Sequence, residues 1–123
     1  MILMKQVASY LAMPIFLVDI DGTLIFYNEP AEVLLGLRYD ETGEMPMEDW
    51  GTRFTPTDAN GTVLPPHALP LAVALRERRP AHDRFSIQAA DGAGHDLSVT
   101  AFPLIGQNDR ELGAVALFWE ETT

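Results

Sequence analysis

The fold is decided by residues 15–27, which read IFLVDIDGTLIFY. Two β-rich apolar runs, residues 15–20 and 23–27, flank Asp21 and Gly22, and an Asp-Gly pair is a strong signal for a two-residue hairpin turn. Both runs are apolar at nearly every position, which indicates strands that are covered on both faces. The stretch therefore predicts an antiparallel pair of strands at the start of the core.

The middle of the chain carries helix signals. Asn28 is a favoured helix-capping residue, Pro30 suits a first helical turn, and Gly36 is a favoured stop. The inward stripe of this helix is predicted to consist of Val33, Leu34 and Leu37. A second helix is predicted to begin at Pro70 and to stop at Pro80, because proline cannot continue a helix. Between the two, glycines and prolines break residues 38–65 into short pieces, which Trp50 and Phe54 are expected to anchor on the core.

The last third of the chain reads as three strands. The inward positions alternate with polar ones and are predicted to be Phe85, Ile87 and Ala89, then Leu97, Val99 and Ala101. Residues 112–119 form the last apolar strand. Two strands, then helices, then three strands predict an α+β domain, with a five-stranded antiparallel sheet and helices packed on one face. We expect one domain over residues 1–123, made of a short N-terminal helical cap (1–12) and a core (13–123).

The composition of the chain argues against several classes of partner and site. The chain has 123 residues and a formal net charge of -10, from 18 acidic and 8 basic residues. This charge repels phosphate backbones and anionic membrane surfaces, so neither nucleic acid nor membrane is an expected partner. The chain has no cysteine, which excludes disulfides and Cys-based zinc sites and suits a cytoplasmic protein.

The order and spacing of four stretches resemble the PAS family over residues 13–122. These stretches are FLVDIDG at 16–22, FYNEPAEVLLG at 26–36, residues 64–75 and residues 103–122. The resemblance implies a sensory or regulatory module of signal transduction that is not an enzyme. It implies a homodimer, and a downstream kinase or another effector as partner. The alternative is a ligand-free homodimerisation module, in which residues 2–12 cover the outer face of the sheet in cis or in trans.

The resemblance also implies where a ligand and an output would lie. A ligand cavity would lie between the sheet and the helices, with candidate walls Leu34, Phe54, Leu71, Leu75, Phe85, Ile87, Val99, Leu117 and Trp119. The same residues are also what any apolar core requires. Many PAS domains end in a Phe-x-Asp-Ile-Thr-like sequence from which the signal leaves. Phe118 and Thr122 match that sequence and Glu120 replaces its aspartate, so these three residues are the signal-output candidates.

Cofactors and metals are not specified by the sequence. Some PAS domains hold haem through a histidine in or near the long helix, and His67 is the only candidate here. Its position beside prolines disfavours haem. Covalent flavin is excluded because there is no cysteine, and noncovalent flavin is disfavoured. His82 and His95 are expected at the surface, and no two histidines have metal-ligand spacing.

The rival interpretation is enzymatic. Residues 19–24, DIDGTL, match the first motif of haloacid-dehalogenase-type phosphatases, in which one aspartate attacks phosphorus and the second is an acid or base. Such enzymes also need a later lysine and a later acidic pair, but the only lysine, Lys5, lies upstream and no Asp-Asp pair occurs. The hairpin reading of the same residues is therefore preferred, and no catalytic residue is expected.

Overall fold

The computed structural model describes residues 13–90 and 92–120, and within them the chain forms an antiparallel sheet with helices on one face. The strands are β1 (Ile15–Val18), β2 (Leu24–Tyr27), β3 (Ala81–Gln88), β4 (Gly94–Ile105) and β5 (Glu111–Glu120). The helices are α1 (Glu29–Leu35), α2 (Tyr39–Thr42), α3 (Met47–Arg53) and α4 (Pro70–Glu77), with 3-10 turns at Pro66–Ala68 and Gln107–Asp109. The sheet is 5-stranded, with the order β2-β1-β5-β4-β3. The predicted α+β architecture is confirmed, whereas the predicted helix over residues 2–12 lies outside the described residues.

The turn between β1 and β2 is built around Asp19 and spans residues 19–23, so the prediction of a two-residue Asp21-Gly22 turn is wrong. Its carboxylate Oδ1 accepts hydrogen bonds from the backbone N–H groups of Asp21 (2.9 Å) and Thr23 (3.1 Å). Gly22 adopts φ +83°, a left-handed conformation that favours glycine. The indole Nε1 of Trp50 donates to the Gly22 carbonyl at 2.8 Å and fixes the turn to α3. Because β2 returns antiparallel beside β1, the aspartates are not followed by the parallel crossover that the phosphatase interpretation requires.

Asn28 joins the first helix to the first strand. It is 1% exposed, and its side-chain Oδ1 accepts from the N–H groups of Ala31 (3.2 Å) and Ile15 (3.0 Å). Its Nδ2 donates to the carbonyl of Met13 at 2.9 Å. The predicted helix cap is confirmed, and α1 ends at Gly36 in the left-handed conformation, as the sequence indicates.

The inward face of α1 differs from the prediction. Ala31, Leu34 and Leu35 are buried, whereas Val33 is 78% exposed. Positions three and four apart share one side of a helix, so a stripe through Ala31, Leu34 and Leu35 leaves Val33 on the opposite side. The assignment of Val33 to the core is therefore wrong.

The long helix α4 begins at Pro70, as predicted, but it ends before Pro80. Its last residue is Glu77, and Arg78 follows in the left-handed conformation at φ +55°. The N–H of Arg78 still donates to the carbonyl of Ala74 at 3.0 Å. The stop is thus a left-handed cap on a non-glycine residue, and proline only follows it.

Both faces of the sheet carry apolar clusters. The inner face packs against the helices through residues that include Phe16, Leu97, Val99 and Phe118. The outer face holds a second cluster whose buried members are Ile15, Leu17 and Val115, with Met13, Ile25, Phe26, Phe102, Leu104 and Leu117 partly buried around them. All of β1 is buried, as predicted, whereas Ile25 and Phe26 of β2 are only partly buried, so the prediction of cover on both faces holds for β1 and not for β2. None of the helices in the described part of the chain is long and apolar enough to cross a membrane.

Candidate functional site

A cavity of about 70 Å³, partly open to solvent, lies between the inner face of the sheet and the helices. The strands contribute Leu97, Val99, Ala116 and Phe118 to one wall, and α3 and α4 contribute Trp50 and Leu71 to the other. The strand residues face the helices because side chains alternate along a strand, which puts every second residue on the inner face. Cross-strand pairing aligns Val99 with Phe118, so both point into the same space. The register between β4 and β5 therefore determines which strand residues line the cavity.

The walls of the cavity are apolar. The described wall residues include no charged side chain, and their one polar side-chain atom, Nε1 of Trp50, is already bonded to the Gly22 carbonyl. No buried side-chain nitrogen or oxygen among the described residues lacks a hydrogen-bond partner. A water molecule needs two to four polar partners to be stable inside a protein, so this cavity is expected to be dry.

The cavity does not fit haem or flavin. Ligand pockets for such molecules have volumes of about 300–1,000 Å³, several times the ≈ 70 Å³ found here. His67, the one haem-ligand candidate, lies exposed in the 3-10 turn Pro66–Ala68 and is not a wall residue. Neither cofactor is supported by the residues that surround the cavity.

Several predicted ligand contacts lie on the cavity wall. These residues are Phe54, Leu71, Phe85, Ile87 and Val99. Leu34 is buried in the same core cluster but does not reach the cavity, and Leu75 instead lines a separate space of about 20 Å³ beside Arg78. Contact of the wall residues with a ligand stays a prediction.

The predicted inward face of β5 is wrong by one residue. Leu117 and Trp119, predicted to face the cavity, lie on the outer face, where Leu117 joins the second apolar cluster and Trp119 is 40% exposed. Ala114, Ala116 and Phe118 face inward instead. Apolar residues occupy both alternating sets of this strand, so periodicity alone could not assign its faces. The larger residues can lie outward because the outer face is also apolar.

Wall residues that the sequence prediction missed include Phe16 and Phe118. Their rings meet edge to face, with centroids 5.1 Å apart and an interplanar angle of 87°. Phe118 was assigned only to signal output, and Phe16 only to a strand. The pairing of Phe118 with Val99, an inward residue already identified by alternation, is the signal that would have placed it. For Phe16 no comparable signal exists, because all of β1 is apolar.

The output candidates lie at the end of β5. Phe118 is 4% exposed and lines the cavity, whereas Glu120 is exposed. A carboxylate oxygen of Glu120 lies 3.1 Å from Nδ1 of His95, which ties the end of β5 to the start of β4. Thr122 lies outside the described residues. The two described output candidates thus connect the cavity wall with the exposed end of the strand.

A polar group interrupts the apolar outer face beside Trp119. Nδ1 of His82 lies 2.7 Å from the Thr100 hydroxyl, and Nε2 lies 3.3 Å from the hydroxyl of buried Ser98. The Trp119 ring lies at 6.3 Å from the imidazole, centroid to centroid. His82 is exposed as expected, whereas His95 is only half-buried. The described residues contain no cluster of histidine and acidic side chains that could hold a metal ion.

Two tyrosines of the core, Tyr27 and Tyr39, have hydroxyl groups whose pKa is raised by burial. The hydroxyl of Tyr27 donates to the Leu37 carbonyl at 3.1 Å and lies 3.1 Å from the Thr42 hydroxyl. Burial raises the pKa of Tyr27, and the negative charge of Glu32 adds to this effect. Burial likewise raises the pKa of Tyr39, whose hydroxyl donates to a β2 carbonyl. Both phenols remain neutral near pH 7, and their hydrogen bonds hold α2 and Leu37 against β2.

Solved structures share this arrangement. The PAS domain of a protein from Colwellia psychrerythraea matches with a TM-score of 0.68 at 17% identity, covering 99% of this chain and 98% of that chain. The PAS domain of nitrogen regulation protein NR(II) from Vibrio parahaemolyticus matches with a TM-score of 0.67 at 16% identity, covering 97% and 98%. A Rhodobacter sphaeroides LOV protein matches with a TM-score of 0.72 at 16% identity, covering 96% of this chain and 65% of that chain. No family model and no curated protein matches the sequence.

The sheet order and the apolar cavity under the helices define the class, a small α+β domain with one antiparallel sheet. Within that class the chain has the PAS fold, because solved PAS domains superimpose on nearly its whole length. The fold that the sequence resemblance predicts is thereby confirmed.

Proposed function

We propose that this chain is a sensory and regulatory module of signal transduction, which binds a small molecule in the cavity and passes the change to a partner through β5. The observation that carries the proposal is the position of Phe118, which lines the cavity two residues before the exposed Glu120. A ligand that displaces Phe118 therefore acts directly on the strand whose last described residue, Glu120, is exposed. The ligand shifts the population of two arrangements only by its difference in affinity for them.

The partner in this proposal is an effector, such as a kinase, in the cytoplasm. The similarity to PAS domains of sensor proteins supports it, since one such neighbour is a PAS domain from a two-component sensor histidine kinase. The role is regulatory and not enzymatic. This is supported by the Asp19 carboxylate, which accepts hydrogen bonds from two backbone N–H groups of its own turn.

The test of sensing begins with the full chain purified under native conditions. An absorption spectrum and native mass spectrometry would detect a co-purified molecule, and its return to stripped protein should change the sedimentation coefficient or the binding of an effector kinase domain. A stoichiometric molecule that produces such a change supports sensing. If cell extracts and metabolite pools yield no molecule that does so, the sensing proposal is wrong.

A second candidate function is ligand-free homodimerisation through the outer face of the sheet. The observation that favours it is the second apolar cluster, in which Phe102 and Leu117 are only partly buried on a face that carries none of the described helices. Exposed apolar surface of this kind marks interaction sites. Residues 1–12 join the chain at the start of β1, and we propose that they take part in the same interface.

Sedimentation equilibrium separates the two candidates. Leu117→Lys places a charge in the outer cluster and should convert a dimer into monomer. The matched control is Val33→Lys, which changes an apolar residue that is already 78% exposed on α1 and should leave the dimer intact. Deletion of residues 1–12 should weaken the dimer as well. A dimer that survives both Leu117→Lys and the deletion would remove this interface from consideration.

A further inference from the structure

The size and the chemistry of the cavity together limit the molecules that it can accept. Its volume is about 70 Å³, roughly half that of an engineered cavity of about 150 Å³ that holds benzene or xenon in another protein. Only a molecule of a few heavy atoms fits without expansion. A molecule as large as an aromatic metabolite would have to move the walls, and close-packed protein interiors resist such movement.

Polarity limits the ligand further. The wall offers apolar side chains such as Leu71, Val99 and Phe118, and its one polar side-chain atom is the indole N–H of Trp50, already bonded to a backbone carbonyl. A hydroxyl or amide that enters must give up its hydrogen bonds to water and receives none in return. The cost of an unsatisfied buried polar group corresponds to a loss of roughly tenfold or more in affinity.

The way into the cavity is marked by Phe85. All other wall residues are buried, whereas Phe85, on the edge strand β3, is partly exposed. Its ring therefore lies on the side where the cavity meets solvent. Its neighbours along the wall, Ile87 and Phe54, are buried. A small movement of one edge side chain is enough to admit a small molecule.

We infer, on the basis of the proposed sensing function, that the cavity accepts small uncharged apolar molecules without hydrogen-bonding groups, in the size range of xenon or a three-carbon hydrocarbon, and that Phe85 is the residue through which they enter. Charged metabolites, organic acids and large cofactors are excluded from the class. The site thus reports on dissolved apolar gases or short hydrocarbons.

The experiment uses the full chain and three probes: xenon, propane and ethanol. Propane and ethanol have the same number of heavy atoms and differ in one hydroxyl group. Nuclear magnetic resonance should show that xenon and propane shift the amide signals of the wall residues, with ethanol at least about tenfold weaker than propane. Ethanol binding as tightly as propane, or no binding of xenon and propane, would overturn the inference.

Variants separate the cavity from the rest of the core. Ala116→Val places two additional carbons in the cavity and should weaken xenon binding several-fold. Ala114→Val makes the same change at the preceding inward position of β5, which is not a wall residue, and should leave xenon binding unchanged. Phe85→Ala should raise the rate of xenon exchange, which saturation-transfer spectra of ¹²⁹Xe measure. Equal loss of xenon binding in Ala116→Val and Ala114→Val, or a xenon exchange rate unaffected by Phe85→Ala, would contradict the assignment.

The results also distinguish this inference from the proposed function. If xenon and propane bind but no molecule alters the assembly or effector binding, the sensing proposal fails and the cavity assignment stands. If a polar or large molecule co-purifies in the cavity and triggers such a change, sensing stands and the inference about ligand class is wrong.

Discussion

Replacing Ala116 with valine should stabilise the protein, because the side chain at this position faces empty space. Ala116 lies on β5, is 2% exposed and lines the cavity. Unfilled volume costs about 24 cal/mol per Å³, so a cavity of ≈ 70 Å³ costs about 1.7 kcal/mol. Valine adds two carbons, each worth about 0.8 kcal/mol when buried, and its branched Cβ suits a strand. We therefore expect a gain of about 1–1.5 kcal/mol in the free energy of unfolding. This is less than the full value of the two buried carbons because valine does not fit the cavity perfectly.

Urea unfolding followed by tryptophan fluorescence measures this gain as a shift of the midpoint at constant slope. The matched control is Ala114→Val on the same strand and face, at a position that is 0% exposed and away from the cavity. Overpacking there should cost about 1–3 kcal/mol. The critical outcome is that Ala116→Val raises the free energy of unfolding whereas Ala114→Val lowers it. If Ala116→Val destabilises the protein as much as Ala114→Val does, the cavity is not available volume and the reasoning fails.

Three other predictions concern the polar contacts of the core. Asn28→Ala should lower the free energy of unfolding by about 2–4 kcal/mol in urea, because it removes a helix cap and leaves the buried N–H of Ile15 without its acceptor; a loss under 1 kcal/mol would contradict this. Trp50→Phe keeps an aromatic ring but removes the bond to the Gly22 carbonyl, so urea unfolding should show a loss of about 1–3 kcal/mol, and unchanged stability would count against that role. Because burial raises the pKa of Tyr27 above 10.0, the folded state holds a proton that the unfolded chain releases, and stability should fall as pH rises above about 10. Tyr27→Phe should flatten that fall in thermal unfolding between pH 9 and 11, and an unchanged slope would refute the assignment.

The fold could be predicted because its signals are local. The Asp21-Gly22 pair marks the antiparallel start of the sheet, although the loop there covers residues 19–23, and Asn28 caps α1 through a contact only three residues away. Strict alternation of apolar and polar residues assigned the inward face of β3 and β4 correctly, including Ile87 and Val99. Each of these signals depends on chain geometry over a few residues, which the sequence contains directly.

The cavity could be predicted only in part, because its walls depend on packing between distant residues. Leu117 and Trp119 were misplaced since β5 is apolar on both faces, and only its pairing with β4 decides which residues face inward. Val33 was misplaced because three apolar residues in a row leave the helix face ambiguous over two turns. The volume itself is set by how Trp50 and Phe118 approach each other across the core, and no local pattern specifies that distance.

β5 is apolar on both faces, and this property suits its proposed role in passing a signal. Phe118 faces the cavity, while the next residue, Trp119, faces the polar group of the outer surface beside His82. Adjacent residues of a strand share one peptide unit and point to opposite faces, so a rotation of the strand that accommodates a ligand at Phe118 must also move the Trp119 ring. A strand with one polar face would transmit such a rotation only to solvent. Here the second face is apolar at Val115 and Leu117, so in the proposed sensory function the movement would alter a surface on which a partner can pack and would couple the cavity to the outer face through this one strand.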